Sequence, residues 1–301
     1  MYDQIAKNKR RSALLILLVL VIAVALGYLF GYLFGFGWFG AAIALVIAAV
    51  MAFSSYRFGD RVVLRISKAK PASPEDYPQL HNVVEGVSIG AGIPKPDVYV
   101  IPERAPNAFA TGRDPEHSSV AVTEGLLELL NRVELEGVIA HELAHIRNRD
   151  ILVGTLTATL VGSVVLIAEF MRRSFLWGSR IGRKAEGRGG TAVAAIFFVV
   201  ALVLSILAPI GAQLIRLAVS RRREYLADAD GALITRYPPG LQSALRKIGA
   251  NPQPMRSTNN ATAHLWFSKP SATPGSVYTR WERLFSTHPP IEDRIKVLED
   301  M

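Results

Sequence analysis

Between Arg11 and Arg57 the chain carries no Asp, Glu, Lys or Arg. A stretch this long without charge belongs in a protein interior or a lipid bilayer, and it exceeds the ~20 residues of one helical crossing. Gly31, Gly35 and Gly37 interrupt it, so it reads as a helical hairpin. The first helix is expected from about Ala13 to Leu33 and the second from about Trp38 to Phe53. Tyr28, Phe30, Tyr32, Phe34, Phe36, Trp38 and Phe39 gather at the turn, where aromatic rings favour the water–lipid boundary. The competing reading is a cleaved leader, since Lys7, Lys9, Arg10 and Arg11 precede an apolar run containing Ala23-Val24-Ala25. Cleavage there would leave ~28 further apolar residues at the new N-terminus, which argues against it.

Two more apolar stretches run from Ile151 to Ile167 and from Thr191 to Ile215. They read as a second membrane hairpin. A buried hairpin inside the soluble part stays open, because the first of these stretches is short and ends at Glu169. The N-terminal tail, the region of Arg57, Arg61, Arg65, Lys68 and Lys70, and the exit at Arg221, Arg222 and Arg223 fall on one side. By the positive-inside bias that side is the cytoplasm, giving a multi-pass protein of the cell membrane with its soluble domain inside. The linker with Arg172, Arg173, Arg180, Arg183, Lys184 and Arg188 then faces outward, against the same bias. The expected layout is a membrane hairpin over 1–56, the first part of a soluble domain over 57–150, a second membrane hairpin over 151–215 and the rest of the soluble domain over 216–301.

Within the soluble part, Ser73-Pro74-Glu75-Asp76 has the N-cap, proline and acidic first turn of a helix that ends near Gly90 or Gly92. Strand-like pieces follow at Asp97–Ile101, Asn107–Thr111 and Ser118–Val122, separated by Pro102, Pro106, Gly112 and Pro115, and read as an antiparallel meander. Thr123 caps one helical run, and a second from about Val133 to Asp150 leads straight into the third apolar stretch. Further helices are expected around Leu241–Ile248 and Pro290–Glu299, with a polar loop from Asn251 to Ser276 between them. The fold class is a mainly α membrane protein with two helical hairpins and a cytoplasmic α+β domain holding a small antiparallel sheet.

Chemistry concentrates in His141-Glu142-Leu143-Ala144-His145. Imidazoles at i and i+4 share one helix face and can share a zinc ion, while the Glu after the first His reaches the open coordination position. The chain has no Cys, so any metal site is built from His and carboxylates, and disulfides, thiolate nucleophiles and Cys-ligated zinc fingers are excluded. A catalytic zinc takes three protein ligands and a water. Glu224, in Arg221-Arg222-Arg223-Glu224-Tyr225-Leu226-Ala227-Asp228-Ala229-Asp230, is the candidate third ligand. On continuous helices it and His145 would both stand roughly 10 Å above the membrane surface. Asp228, one turn on, can accept a hydrogen bond from the far nitrogen of a zinc-bound His. Should Glu224 fail as ligand, Asp228 and Asp230 are next. His81, His117 and His264 have no spacing partner and read as surface or loop residues. The net charge of +9 beside such apolar runs points to an anionic lipid surface rather than nucleic acid, for which no recognition motif is present.

The N-terminal hairpin, Asn107-Ala108-Phe109-Ala110-Thr111-Gly112, the His-Glu-Leu-Ala-His helix beside a membrane segment, Arg-Arg-Arg-Glu-Tyr-Leu-Ala-Asp and Thr287-His288-Pro289-Pro290 occur in that order. Together they resemble the HtpX-type membrane zinc metalloproteases, relatives of the CAAX prenyl proteases within the gluzincins. The resemblance implies His141, His145 and Glu224 as ligands of one zinc ion, Glu142 as the catalytic residue and a role in clearing damaged membrane proteins. It also places His288 near the metal, as a candidate for stabilising the oxyanion. Ala144 stands where relatives often carry Gly. With such a site, Asn107, Ala108, Phe109 and Ala110 form a candidate substrate strand, because main-chain pairing holds unfolded chains with little side-chain selection; an ordinary edge strand with Phe109 in the core is the competing reading. The leading expectation is a zinc endopeptidase acting on misfolded or unfolded membrane proteins. A site-specific processing protease and a non-catalytic zinc-binding membrane protein are the alternatives, and an intact Glu142 speaks against the last.

Overall fold

The computed structural model describes residues 2–33, 35–160, 221–255, 262–268 and 289–301. Helix α1 (Tyr2–Leu33) folds back onto α2 (Trp38–Ile66). The close approach depends on glycine: a Cβ on Gly31 would strike the Gly37 carbonyl, and one on Gly40 the Gly27 carbonyl. The stretches Ile5–Tyr28 and Trp38–Ile66 are both long and apolar enough to cross a membrane, and Leu17, Val21, Val46, Val50 and Phe53 are exposed along them. Both helices outrun the expected bounds. α1 already begins at Tyr2, since Lys and Arg are good helix formers. α2 continues past Phe53 because Val63 and Leu64 pack with Phe109, Ala121 and Trp266 in a buried cluster of the soluble part.

The sheet contains β1 (Lys70–Pro71), β2 (Asp97–Ile101), β3 (Ala108–Asp114) and β4 (His117–Thr123). Its order is β1-β2-β4-β3, and β2 runs parallel to β4. The sheet is therefore mixed, which corrects the expected antiparallel meander. The reason is the long-range pairing of β2 with β4. Val120, Ala121 and Val122 are all fully buried, as suits a strand between two neighbours; β3 is equally buried and ends the sheet with the 267–268 segment hydrogen-bonded along Asn107 and Ala108. Gly112, at φ 141, carries the irregularity between Gly112 and Asp114.

Helix α3 (Pro78–Ala91) starts later than expected. The Ser73 hydroxyl accepts from the Asp76 amide, but this builds only a turn. Tyr77 precedes a proline and is held out of the helical region at φ −128, ψ 53, so the helix cannot run through it. Gly92, at φ 67, ends it in the left-handed conformation.

After α4 (Glu124–Leu129), capped by Thr123, comes the motif helix α5 (Arg132–Arg147). Asn131 and Glu134 close its N-terminus as a reciprocal capping box. Glu134 also accepts from Ser243 Oγ at 2.6 Å and Lys247 Nζ at 2.7 Å, tying α5 to α8 (Pro238–Ala250). The expected continuation of α5 into the next apolar stretch is wrong. Asn148 caps its end, Arg149 turns to φ 58, and α6 begins at Asp150. The estimate that carried a continuous helix from His145 toward the membrane therefore fails at this corner. α6 is described over Asp150–Leu160 and is almost wholly buried there. Its Leu152, Leu156 and Leu160 pack on Leu15, Ile16 and Val19 of α1. The rest of the proposed second hairpin, 161–215, lies outside the described residues. Helices α7 (Arg221–Thr235) and α9 (Ile291–Glu299) complete the arrangement around α5.

Candidate metal centre

His141 and His145 lie one turn apart on α5, with their Nε2 atoms 3.2 Å from each other. Glu224, in the first turn of α7, brings Oε2 to 3.8 Å from His141 Nε2 and Oε1 to 3.6 Å from His145 Nε2. Each residue offers one ligand atom, and these lie within 4.8 Å of one another. The approach of α7 to α5 rests on Gly231, where a Cβ would come within 3.0 Å of the His141 amide nitrogen. Gly231→Val is expected to push α7 off α5 at a cost of about 1–3 kcal/mol and to separate Glu224 from the histidines. Thermal unfolding together with bound-zinc content checks this.

The outer nitrogens decide what the inner ones can do. His141 Nδ1 lies 2.8 Å from Asp228 Oδ1, and His145 Nδ1 lies 3.0 Å from Asp150 Oδ2. A carboxylate only accepts, so each Nδ1 carries a proton, and in the neutral imidazoles that bind a metal each Nε2 presents a lone pair. Arg294 Nη2 also approaches His141 Nδ1, at 3.3 Å, but it donates to Asp228 Oδ1 at the shorter distance of 2.6 Å. Without a metal, a second proton on His145 lets its Nε2 donate to His141 Nε2 across the 3.2 Å; with both imidazoles neutral, the two lone pairs cannot satisfy each other. A cation satisfies both: tetrahedral zinc with Zn–N near 2.0–2.1 Å sets its ligand atoms about 3.3 Å apart. The donor set of two neutral imidazoles and a carboxylate thus fits a zinc ion.

Glu142 is buried, and its carboxylate accepts from the Ala110 backbone N–H. Burial, reinforced by the Glu224 charge, pushes its carboxyl up to about 7. Burial likewise pushes His141 down to about 4. At His145 burial acts the same way, but the Asp150 hydrogen bond and the charges of Glu224, Asp150 and Glu142 outweigh it and carry the imidazole up to about 9 in the metal-free protein.

Of the candidate substrate strand, Ala108 and Ala110 sit on the edge strand β3, next to the site. The Ala108 carbonyl accepts from the Phe267 amide at 2.7 Å. The Asn107 side chain exchanges hydrogen bonds with both backbone groups of Ser268. Phe109 is fully buried and packs edge-on against Trp266. His288 lies outside the described residues.

His264 was expected in an ordinary loop position, but it is buried, its Nε2 is 3.1 Å from the Gly154 carbonyl, and it lines the same cleft as the His pair and Glu142. Its neighbours Trp266 and Phe267 explain this: both are buried and draw the segment inward, with Phe267 edge-on to His141 at 5.0 Å. Arg294 was missed altogether. It is 1% exposed, donates to Asp228 through Nε (2.8 Å) and Nη2 (2.6 Å) and to the Phe267 carbonyl through Nη1, and stacks over the Phe267 ring. Its signal was an arginine four residues before the buried Leu298, on the buried stripe of a terminal helix.

The family model for peptidase family M48 matches residues 74–301. Among known proteins, "Protease HtpX homolog" from Thermoanaerobacter pseudethanolicus is 46% identical over 100% of this chain and 98% of that protein. Proteins of the same name from Tropheryma whipplei and Lactobacillus acidophilus are each 45% identical over all of this chain, covering 98% and 100% of those proteins. A solved structure, that of S. mikatae Ste24p, aligns over 99% of this chain and 67% of its own at 17% identity with a TM-score of 0.49. With the His141–His145–Glu224 cluster in place beside Glu142, the chain belongs to peptidase family M48 and is a metalloprotease.

Proposed function

We propose that this chain is an integral-membrane zinc endopeptidase that cleaves unfolded or misfolded membrane proteins from the cytoplasmic side of the cell membrane. One observation carries the reading: the Nε2 atoms of two imidazoles and the carboxylate of Glu224 converge beside a second carboxylate, Glu142. His141, His145 and Glu224 would hold zinc, which supplies Lewis acidity toward a peptide carbonyl and makes a bound water acidic. Glu142 takes the proton of the attacking water and returns it to the leaving amine nitrogen. Burial of Glu142 favours its neutral form and so helps it keep that proton between the two transfers. Asp228 holds His141 in the tautomer that leaves Nε2 free. His288, from the family resemblance, remains the candidate for stabilising the oxyanion.

The substrate strand rests on β3 being the sheet edge beside Glu142. An extended chain pairs there through main-chain groups, a recognition mode indifferent to side chains. Because Phe267 occupies the Ala108 carbonyl, a substrate pairing at that residue displaces the 267–268 segment. The long apolar helices support action at a membrane, and Lys7, Lys9, Arg10 and Arg11 beside Arg57, Arg61 and Arg65 support contact with anionic lipid.

The test is cleavage of an unfolded model protein by the detergent-purified chain, with zinc content measured on the same sample. Cleavage that a chelator stops and zinc restores is the expected result. Glu224→Gln is expected to lower zinc affinity by about 10–100-fold, judged by losses at metal-site groups, and to lose activity with it. Full activity in that variant would reassign the third ligand. Zinc retained by the parent without cleavage would favour a non-catalytic site.

A further inference from the structure

The apolar helix α1 does more than anchor the enzyme. Asn8, one turn before the uncharged run begins, is 1% exposed, and its side-chain amide donates to the Asn148 carbonyl at 2.9 Å and to Asp150 Oδ1 at 2.7 Å. The other oxygen of Asp150 faces His145 Nδ1 at 3.0 Å. Asn148 and Arg149 form the corner between α5 and α6, and Arg149 holds its left-handed conformation there. Arg223, the residue before Glu224, reaches the same Asp150 oxygen as Asn8, at 3.4 Å. One carboxylate at the start of α6 is thus gripped by α1 and α7 on one side and presents its free oxygen to His145 on the other.

We infer that Asp150 is a positioning residue for His145 and that Asn8 of helix α1 locks Asp150 in place, so that the first apolar helix forms part of the metal site. The inference rests on the proposed zinc reading of the His pair and Glu224. Geometry supports it independently of sequence distance. His145 stands in the last turn of α5, where its ring is steered by a residue beyond a corner rather than by its own helix. A carboxylate free to rotate on its Cβ–Cγ bond presents either oxygen to His145. With one oxygen held by Asn8 Nδ2, only the other is available, which fixes the plane of the imidazole and the direction of its Nε2 lone pair. The contacts of Leu15, Ile16 and Val19 with Leu152, Leu156 and Leu160 keep α1 alongside α6, so Asn8 is delivered to this spot by packing.

The experiment measures zinc affinity by chelator competition on the full-length, detergent-purified chain, as parent, Asn8→Ala, Asp150→Ala and the double variant. Asp150→Ala is expected to weaken zinc by about 10–100-fold and Asn8→Ala by about 3–10-fold, in line with losses at groups that orient metal-bound histidines. In the Asp150→Ala background, Asn8→Ala is expected to add nothing, because its effect passes through Asp150. A loss of general packing would instead persist in both backgrounds and overturn the inference, as would parent-like affinity in Asn8→Ala. Should Asn8→Ala fail to fold, Asn8→Ser carries the same expectations, since its hydroxyl falls one bond short of Asp150 Oδ1. The thermal midpoint of each metal-free variant gives a second readout. It is expected to fall in every variant, since each leaves buried polar partners unpaired, and the rise on adding zinc is expected to shrink as well; a zinc-induced rise as large as the parent's would overturn the inference. A parent chain that binds no zinc would reject the zinc reading itself, a result distinct from any of these.

Discussion

Glu142→Gln is expected to lower kcat/KM by about 10²–10⁴-fold, the range of a general base, while zinc content stays at the parent's. The substitution keeps the shape of the side chain and an oxygen to accept from the Ala110 N–H, but Gln takes up no proton. Stability should move in the opposite direction from activity. The Glu142 carboxyl is raised by burial from 4.5 to about 7 in the metal-free protein. A carboxyl raised on folding contributes stability below its unfolded value and loses it as pH rises toward the folded value. The metal-free parent therefore loses this contribution between about pH 4.5 and pH 7, at most about 3 kcal/mol at 1.36 kcal/mol per unit. Glu142→Gln has no charge to bury and escapes the loss. At pH 8 without metal its thermal midpoint is expected above the parent's, and near pH 4 the two should coincide. Zinc lost together with activity would make Glu142 a ligand rather than a base.

Arg294→Met should have the largest effect on stability, about 3–5 kcal/mol, the range for removing one partner of a buried ion pair. The cost lies in what is left behind. Asp228 is fully buried and among the described residues would keep His141 as its partner, while the Phe267 carbonyl loses the Arg294 donor. Burial alone would raise the Asp228 carboxyl, yet the Arg294 charge and hydrogen bonds, with His141, hold it below the usual range. Stability from a carboxyl lowered on folding is present above the unfolded value and lost as pH falls. The penalty of Arg294→Met is therefore expected in full at neutral pH and to shrink as pH falls toward and through the ordinary carboxylate range, because burial, no longer opposed by Arg294, makes Asp228 take up its proton early in the variant, while the parent loses its own contribution only below that range. Unfolding curves of parent and variant across that range measure it. Zinc affinity should fall as well, since Asp228 holds His141. A variant equal to the parent at pH 7 would mean that Asp228 finds another partner once Arg294 is gone.

Both variants act on groups of different legibility. Glu142 belongs to a motif contained within two turns of a single helix. Helical spacing alone puts His141 and His145 on one face, and Asn131 with Glu134 sets where that helix begins. Two long apolar helices, α1 and α2, were as plain, because a long charge-free run broken by Gly31, Gly35 and Gly37 leaves little choice. Thr123 as the cap of α4 is a contact between neighbours in the chain and was equally readable.

Tertiary structure decided what depended on distant partners. Three carboxylates of one helix were candidates near the histidines. Folding turns Glu224 toward both Nε2 atoms, Asp228 to His141 Nδ1 and Asp230 to the Asn148 side chain at 2.7 Å. The order of the sheet depended on long-range pairing of β2 with β4, and the break after α5 on a left-handed arginine that propensity disfavours. Asn8, Asp150 and Arg294 looked like ordinary polar residues at helix ends or on helix faces. They became parts of the site because packing brings α1, α6 and α9 against α5 and α7, across separations of up to 153 residues. Local backbone periodicity is written in neighbouring residues and can be read there. Which buried polar group meets which partner is a property of the packed core, where no water remains to satisfy a group left alone.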